Sequence, residues 1–263
     1  MEYKERTKAM PAKKSPMSLE KILDASSRIG YLMLSYGAEI SRVEDTARRI
    51  CMAYGADEAH VFAISSSIVI TLVRSGETLT QTRRVTAITT NLDRVDRLNH
   101  LSRMICETLP EYDEIMASVN EIERRPLYSS VVSVFAYALI SGAFAIFFSG
   151  SVWDMLSATV IGASIRLVML LLEYLKAAPF FLTAAAASVA TGLARLFSTG
   201  FGAVMLEPTL LGVLMNLVPG VALTNSMRDF IATDYMSGVG RLVECFFTGA
   251  AIALGAAFVL FWR

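Results

Sequence analysis

The feature that most restricts this chain is Leu127–Phe148, 22 residues without one Asp, Glu, Lys or Arg. About 20 apolar residues in helical form cross the hydrocarbon core of a bilayer. Such a segment must also satisfy its own backbone, which favours a helix. More apolar runs follow: Val152–Tyr174, interrupted by Asp154 near one end and Arg166 well inside; Phe180–Phe197, rich in Ala; Pro208–Thr224, short and broken at Pro219-Gly220; and Val243–Trp262. Residues 126–263 are therefore expected to form an α-helical transmembrane domain of about five spans, the fourth broken at Pro-Gly.

Charge is distributed to match. Of 24 Lys and Arg, 18 lie at or before residue 126, and the same holds for 18 of the 24 Asp and Glu. Mean hydropathy is +0.50 and 54% of residues are apolar; the excess belongs to the second half. This asymmetry favours two domains. Residues 1–17 are Lys-rich with Pro11 and Pro16 and are read as a disordered tail. Residues 18–125 are expected to form a soluble α+β domain. Ser18 caps a predicted helix to about Tyr36, stopped at Gly37. Ala38–Tyr54 has Ile40, Val43, Ala47 and Ile50 on one face, and Glu44, Asp45, Arg48 and Arg49 on the solvated one. Val61–Ile64, Ile68–Val73 and Glu77–Val85 read as an antiparallel meander, with Ser65-Ser66-Ser67 as a turn. Asn91–Thr108 and Glu111–Arg124 return to helical spacing.

Several function classes lack support. Net charge is zero, so nothing points to nucleic acid. Cys51, Cys106 and Cys245 share no metal-binding or disulfide pattern. The first 25 residues have no apolar signal-peptide core. P-loop, G-x-S-x-G, H-E-x-x-H and G-x-G-x-x-G patterns do not occur. No enzyme activity, cofactor or metal is expected. By the positive-inside rule Arg124, Arg125, Lys176, Arg228 and Arg241 mark cytoplasmic loops, with Arg195 dissenting. Ala158 with Gly162, and Gly249 with Ala253, are small residues four apart that let membrane helices approach closely.

Polar residues at membrane depth carry the functional argument, because hydrocarbon leaves them unsatisfied unless they face protein or a wet cavity. Asn216, Pro219, Gly220, Thr224 and Asn225 surround the expected break. Either this is an ordinary proline kink, or its freed backbone groups line a substrate path. Arg166 costs at least about 2.5–3.5 kcal/mol on insertion scales. It is either a clamp for a substrate carboxylate or the partner of Asp154, Glu173 or Glu207. Asp229 and Asp234 are candidate proton carriers. Asp154, Arg228 and Arg241 are candidate structural or gating groups, and Arg228 with Asp229 is alternatively a juxtamembrane pair.

Two stretches resemble a known family. Tyr36-Gly-Ala-Glu-Ile-Ser-Arg-Val-Glu44, with Tyr54-Gly55 downstream, is similar to the N-terminal domain of the threonine/serine exporter (ThrE-like) family, in particular its YjjP-like half. Leu217-Val-Pro-Gly-Val-Ala-Leu-Thr-Asn-Ser-Met-Arg-Asp229, with Asp234, Ser237-Gly238 and Arg241, resembles the membrane motif of that family. The resemblance implies a multi-pass inner-membrane secondary exporter with its N-terminal domain in the cytoplasm. Its cargo would be a small carboxylate-bearing metabolite: threonine and serine, or succinate for the split YjjP-like type. Fused members carry a second membrane half, which does not follow here before Arg263, so a separate small four-span partner resembling YjjB is implied. The competing expectations are a membrane-anchored enzyme acting through residues 18–125, and a regulatory scaffold.

Overall fold

The computed structural model describes residues 17–126 and 128–261. The expected tail lies outside these except for Met17, as does Trp262. The chain forms two compact units: residues 1–125 with 224–241, and residues 126–223 with 242–263.

In the first unit, α1 (Leu19–Ser35) begins at Ser18, whose side chain accepts the Lys21 N–H. It ends where Gly37 turns the chain with φ +82°, a backbone state that side-chain-bearing residues avoid. Next come α2 (Ile40–Ala53) and the strands β1 (Glu58–Ile64), β2 (Ser67–Arg74) and β3 (Glu77–Arg84). The strands form one antiparallel sheet in the order β1-β2-β3. Ser65 and Ser66 make the β1–β2 turn, and Ser67 begins β2 opposite Ile64. Alternation along β2 turns Ile68, Ile70 and Leu72 inward, all fully buried with Ile29, Val43 and Ile50 from the helices. α3 (Leu92–Thr108) and α4 (Tyr112–Arg124) complete this core through Leu98, Ile105 and Val119.

The second unit contains α5 (Ser130–Phe147), α6 (Val152–Tyr174), α7 (Pro179–Gly200), α8 (Leu206–Leu214), the start of α9 (Gly220–Ile231) and most of α10 (Tyr235–Phe261). Four of these helices, α5, α6, α7 and α10, are long and apolar enough to cross a membrane. Small residues set the packing. An added Cβ at Gly212 would lie 2.6 Å from the Ala145 backbone nitrogen, and one at Gly162 would collide with Ser141, so α8 and α6 each press against α5. Gly249 does not serve this way, since nothing lies within 4 Å of its Cβ position; the close approach on α10 is at Gly255, against Ala184.

Two elements depart from the expected spans. The segment expected to be the fourth span consists of α8, only nine residues long, then residues 215–219, then α9. Pro219 supplies no N–H and biases Val218 away from helix, so α9 starts afresh at Gly220. The last helix begins at Tyr235 instead of Val243, which places Arg241 and Glu244 inside a helix.

Candidate functional site

The residues singled out above do not assemble into one place. Arg166, Asp154, Asn216, Pro219 and Gly220 belong to the second unit; Thr224, Asn225, Arg228, Asp229, Asp234 and Arg241 belong to the first.

In the second unit Asp154 is fully buried and fully engaged. Its Oδ2 accepts the Ser151 backbone N–H and hydroxyl, and its Oδ1 accepts the Met205 N–H at 2.6 Å and the Thr209 hydroxyl at 3.1 Å. This is the capping box of α6 and a tie to the start of α8. Arg166 therefore pairs with neither Asp154 nor Glu207. Its Nη1 lies 2.8 Å from Glu173 Oε1, seven residues along the same helix, and its Nε donates to Ser133 Oγ at 2.7 Å. The guanidinium also stands 5.3 Å from the centre of the Tyr137 ring, an arrangement that suits a planar cation. Asn216 donates to Ser141 Oγ at 2.7 Å, so it ties the break to α5. Arg195 reaches the Val259 carbonyl at 3.3 Å.

In the first unit the segment 224–241 is held against the α1–α2 corner. Asn225 Nδ2 donates to the Gly37 carbonyl at 3.2 Å, and Arg241 Nη2 to the Ala38 carbonyl at 2.8 Å. Arg228 Nη1 lies 3.1 Å from Glu39 Oε2. Three successive residues of one motif thus receive three side chains of the other. The Gly37 and Ala38 carbonyls lie in the connection between α1 and α2, outside either helix, where a side-chain amide and a guanidinium supply their hydrogen bonds.

The α9–α10 turn is closed internally. The Asp229 carbonyl accepts the Asp234 N–H at 2.9 Å, and Ser226 Oγ donates to the Gly238 carbonyl at 2.7 Å. Asp234 Oδ1 accepts the Ser237 N–H at 3.3 Å and so caps α10. Behind this turn Arg241 Nε lies 3.3 Å from Asp229 Oδ2, with both side chains buried. The pair is charge-matched, but among the described residues neither atom has a hydrogen-bond partner, and Ser237 Oγ also lacks one. Burial pushes the Asp229 carboxyl above its ordinary range; Arg241 opposes the shift, while Asp234 and Glu39 add to it.

Glu44 is the correction that matters most. The amphipathic pattern assigned it to the solvated face with Asp45, yet it is only partly exposed and its Oε1 accepts the Ala63 N–H at 2.8 Å. Burial raises its carboxyl, the bond from Ala63 opposes this, and Asp234 adds to it. Helical period placed Glu44 correctly at the edge of the polar face; that β1 covers this edge is a tertiary fact. Glu39, which the same motif contains, is the partner of Arg228.

Residues 36–44 and the part of the second stretch from Thr224 to Arg241 thus lie in one body of the structure, while residues 217–223 belong to the other. A profile described as "Putative threonine/serine exporter" (ThrE) matches residues 24–262. The chain belongs to the ThrE family. Among its relatives, "Probable succinate transporter subunit YjjP" of Klebsiella aerogenes is 28% identical over 214 residues, covering 80% of this chain and 81% of the relative. The protein of the same name from Escherichia coli is 26% identical over 236 residues, covering 88% and 90%. "Probable threonine/serine exporter" of Mycobacterium tuberculosis is 25% identical over 240 residues, covering 89% of this chain but 45% of its own length. No solved structure matches the chain. Membership of this family and four apolar helices make the chain a multi-pass membrane protein.

Proposed function

We propose that this ThrE-family chain is one subunit of a secondary exporter in the inner membrane, with residues 18–125 in the cytoplasm and residues 126–263 supplying the membrane part. The observation that carries the topology is the grouping of residues 224–241 with residues 1–125 in one compact body. Such a body lies on one side of a bilayer. If α5, α6 and α7 each cross once, the chain leaves α7 on the far side, so it has to return before residue 224. The interrupted segment 206–223 is then the fourth of five crossings, broken at residues 215–219. The distribution of Lys and Arg is in keeping with this reading, under which Arg124, Arg125, Lys176, Arg228 and Arg241 mark cytoplasmic loops.

The cargo on this reading is a small carboxylate-bearing metabolite, threonine or serine or a succinate-like dicarboxylate, as the relatives' names suggest. Arg166 is the candidate clamp: a substrate carboxylate can exchange with Glu173 for its fork. Asn216, Pro219, Gly220, Thr224 and Asn225 are the proposed path along the break. Asp229, with Asp234 beside it, is the proposed proton carrier, because its buried carboxylate lacks a full set of hydrogen bonds and protonation would release Arg241. Asp154 and Arg228 hold the elements in place. Two relatives are called subunits, and a small four-span YjjB-like protein is the proposed partner.

Counterflow of labelled succinate and labelled threonine, measured in vesicles containing the chain with its partner, tests this. Asp229→Asn and Arg166→Ala should each slow exchange at unchanged protein level. Undiminished exchange in both variants would remove the site assignment, and absence of exchange of either compound in the wild type would remove the exporter.

A further inference from the structure

We infer that Glu44 is a second proton-carrying carboxylate of this protein, working with the Asp229–Asp234 side of the cluster; the inference rests on the proton-coupled reading above.

The argument begins with a charge count. Four carboxylates, on Glu39, Glu44, Asp229 and Asp234, share the junction of the two motifs with two guanidiniums, on Arg228 and Arg241. Arg228 is taken by Glu39 and Arg241 by Asp229 and the Ala38 carbonyl. Arg48, one turn along α2 from Glu44, is exposed, and Asp45 beside it pairs with Arg49. Among the described residues, Glu44 and Asp234 are therefore left without an ion-pair partner. Among the described residues no group of acid, His or Cys side chains converges to hold a metal ion in their place.

The two leftover acids differ in surroundings. Asp234 caps α10, where the positive end of the helix stabilises an anion. Glu44 lies beyond the first turn of α2, partly covered by β1, with one N–H from Ala63 turned toward it. A carboxylate in partial burial beside a charged Asp234 is relieved by taking up a proton. The remainder of the cluster is built to register such a change. Asp229 Oδ2, Ser237 Oγ and Arg241 Nε are all buried without hydrogen-bond partners among the described residues, so its bonding is not saturated there. The Ser65 hydroxyl at the β1–β2 turn also packs 3.3 Å from the Cβ position of Gly240, one residue before Arg241. The strand that covers Glu44 thus ends against the helix that carries Arg241. The step is a plain acid–base exchange: Glu44 takes a proton from hydronium in the surrounding water and returns it to water, with no other reactant.

Glu44→Gln is the discriminating variant, because Gln keeps the Oε1 acceptor for Ala63 and removes only the titration. The full chain in lipid nanodiscs is titrated with acid while the C=O stretch of protonated carboxylic acids is followed by infrared difference spectroscopy. The control is Asp45→Asn, and pH-dependent counterflow is measured in parallel in vesicles with the partner. The wild type and Asp45→Asn should show an acid band that titrates above the ordinary Glu range. Glu44→Gln should lose that component, and its counterflow should lose part of its pH dependence while its melting temperature holds. An unchanged infrared titration in Glu44→Gln overturns the inference, even where counterflow is pH-dependent. Loss of the band with counterflow that is pH-independent in the wild type overturns the proton-coupled reading instead.

Discussion

Replacing Arg241 with methionine removes the one guanidinium that both reaches the Ala38 carbonyl and faces Asp229. Asp229 is 2% exposed, so the variant buries a carboxylate without its paired guanidinium. Losing one partner of a buried pair costs about 3–5 kcal/mol. Removing both charges, as in Arg241→Met with Asp229→Leu, leaves chiefly the lost bond to Ala38, about 1 kcal/mol. The natural assay is hydrogen–deuterium exchange of the full chain in nanodiscs, read on peptides covering residues 36–40 and 224–241. Where closing outpaces exchange, each tenfold in rate corresponds to about 1.36 kcal/mol. The single variant should then exchange roughly two to nearly four orders of magnitude faster there, and the double variant about five- to tenfold faster. The single-variant penalty should shrink on acidification, because a protonated Asp229 is cheaper to bury. Exchange of Arg241→Met within threefold of wild type, or a double variant as fast as the single one, would refute the claim that this charge pair holds the segment.

Other outcomes follow from the same geometry. Burial raises the Glu44 and Asp229 carboxyls, so the folded first unit binds protons more tightly than the unfolded chain; its stability should rise as pH falls through these raised values, until the unfolded carboxylate range is reached. The acid-side slope of melting temperature against pH should be shallower in Glu44→Gln. Asp154→Ala strands the donors of Ser151, Met205 and Thr209 and should cost at least about 3 kcal/mol, seen as loss of a monodisperse peak after extraction. Gly212→Val drives side-chain atoms into the α5 backbone and should abolish folded yield, whereas Gly249→Val, with open space at its Cβ, should not. The Cys51 thiol, pushed up to about 12 by burial, should resist alkylation at pH 8 until the unit unfolds, as read by mass spectrometry.

Much of this architecture is legible in the residues. Ser18 caps α1 as its side chain suggests, and alternation over Ile68–Val73 gives the sheet its inner face. The uncharged run from Leu127 and the Ala-rich run from Phe180 fall on α5 and α7. What could not be read were facts of tertiary placement. Nothing local says that β1 lies over Glu44, because helical period reports a face and not what covers it. Nothing local says that the Thr224–Arg241 stretch joins the N-terminal body, nearly a hundred residues after the chain left it. Arg166 had three acids available by sequence, and only the one two turns further along its own helix proved to be in reach.

The non-collinear make-up of the first unit bears on how it is dissected. A fragment cut after Arg125 keeps all seven elements from α1 to α4 and their apolar interior, but it loses the strap that covers the Gly37 and Ala38 carbonyls and neutralises Glu39. Such a fragment presents a bare acidic notch where the intact chain has a seam. A synthetic peptide of residues 224–241, or a short glycine tether grafting it behind α4, should restore the missing piece in trans or in cis.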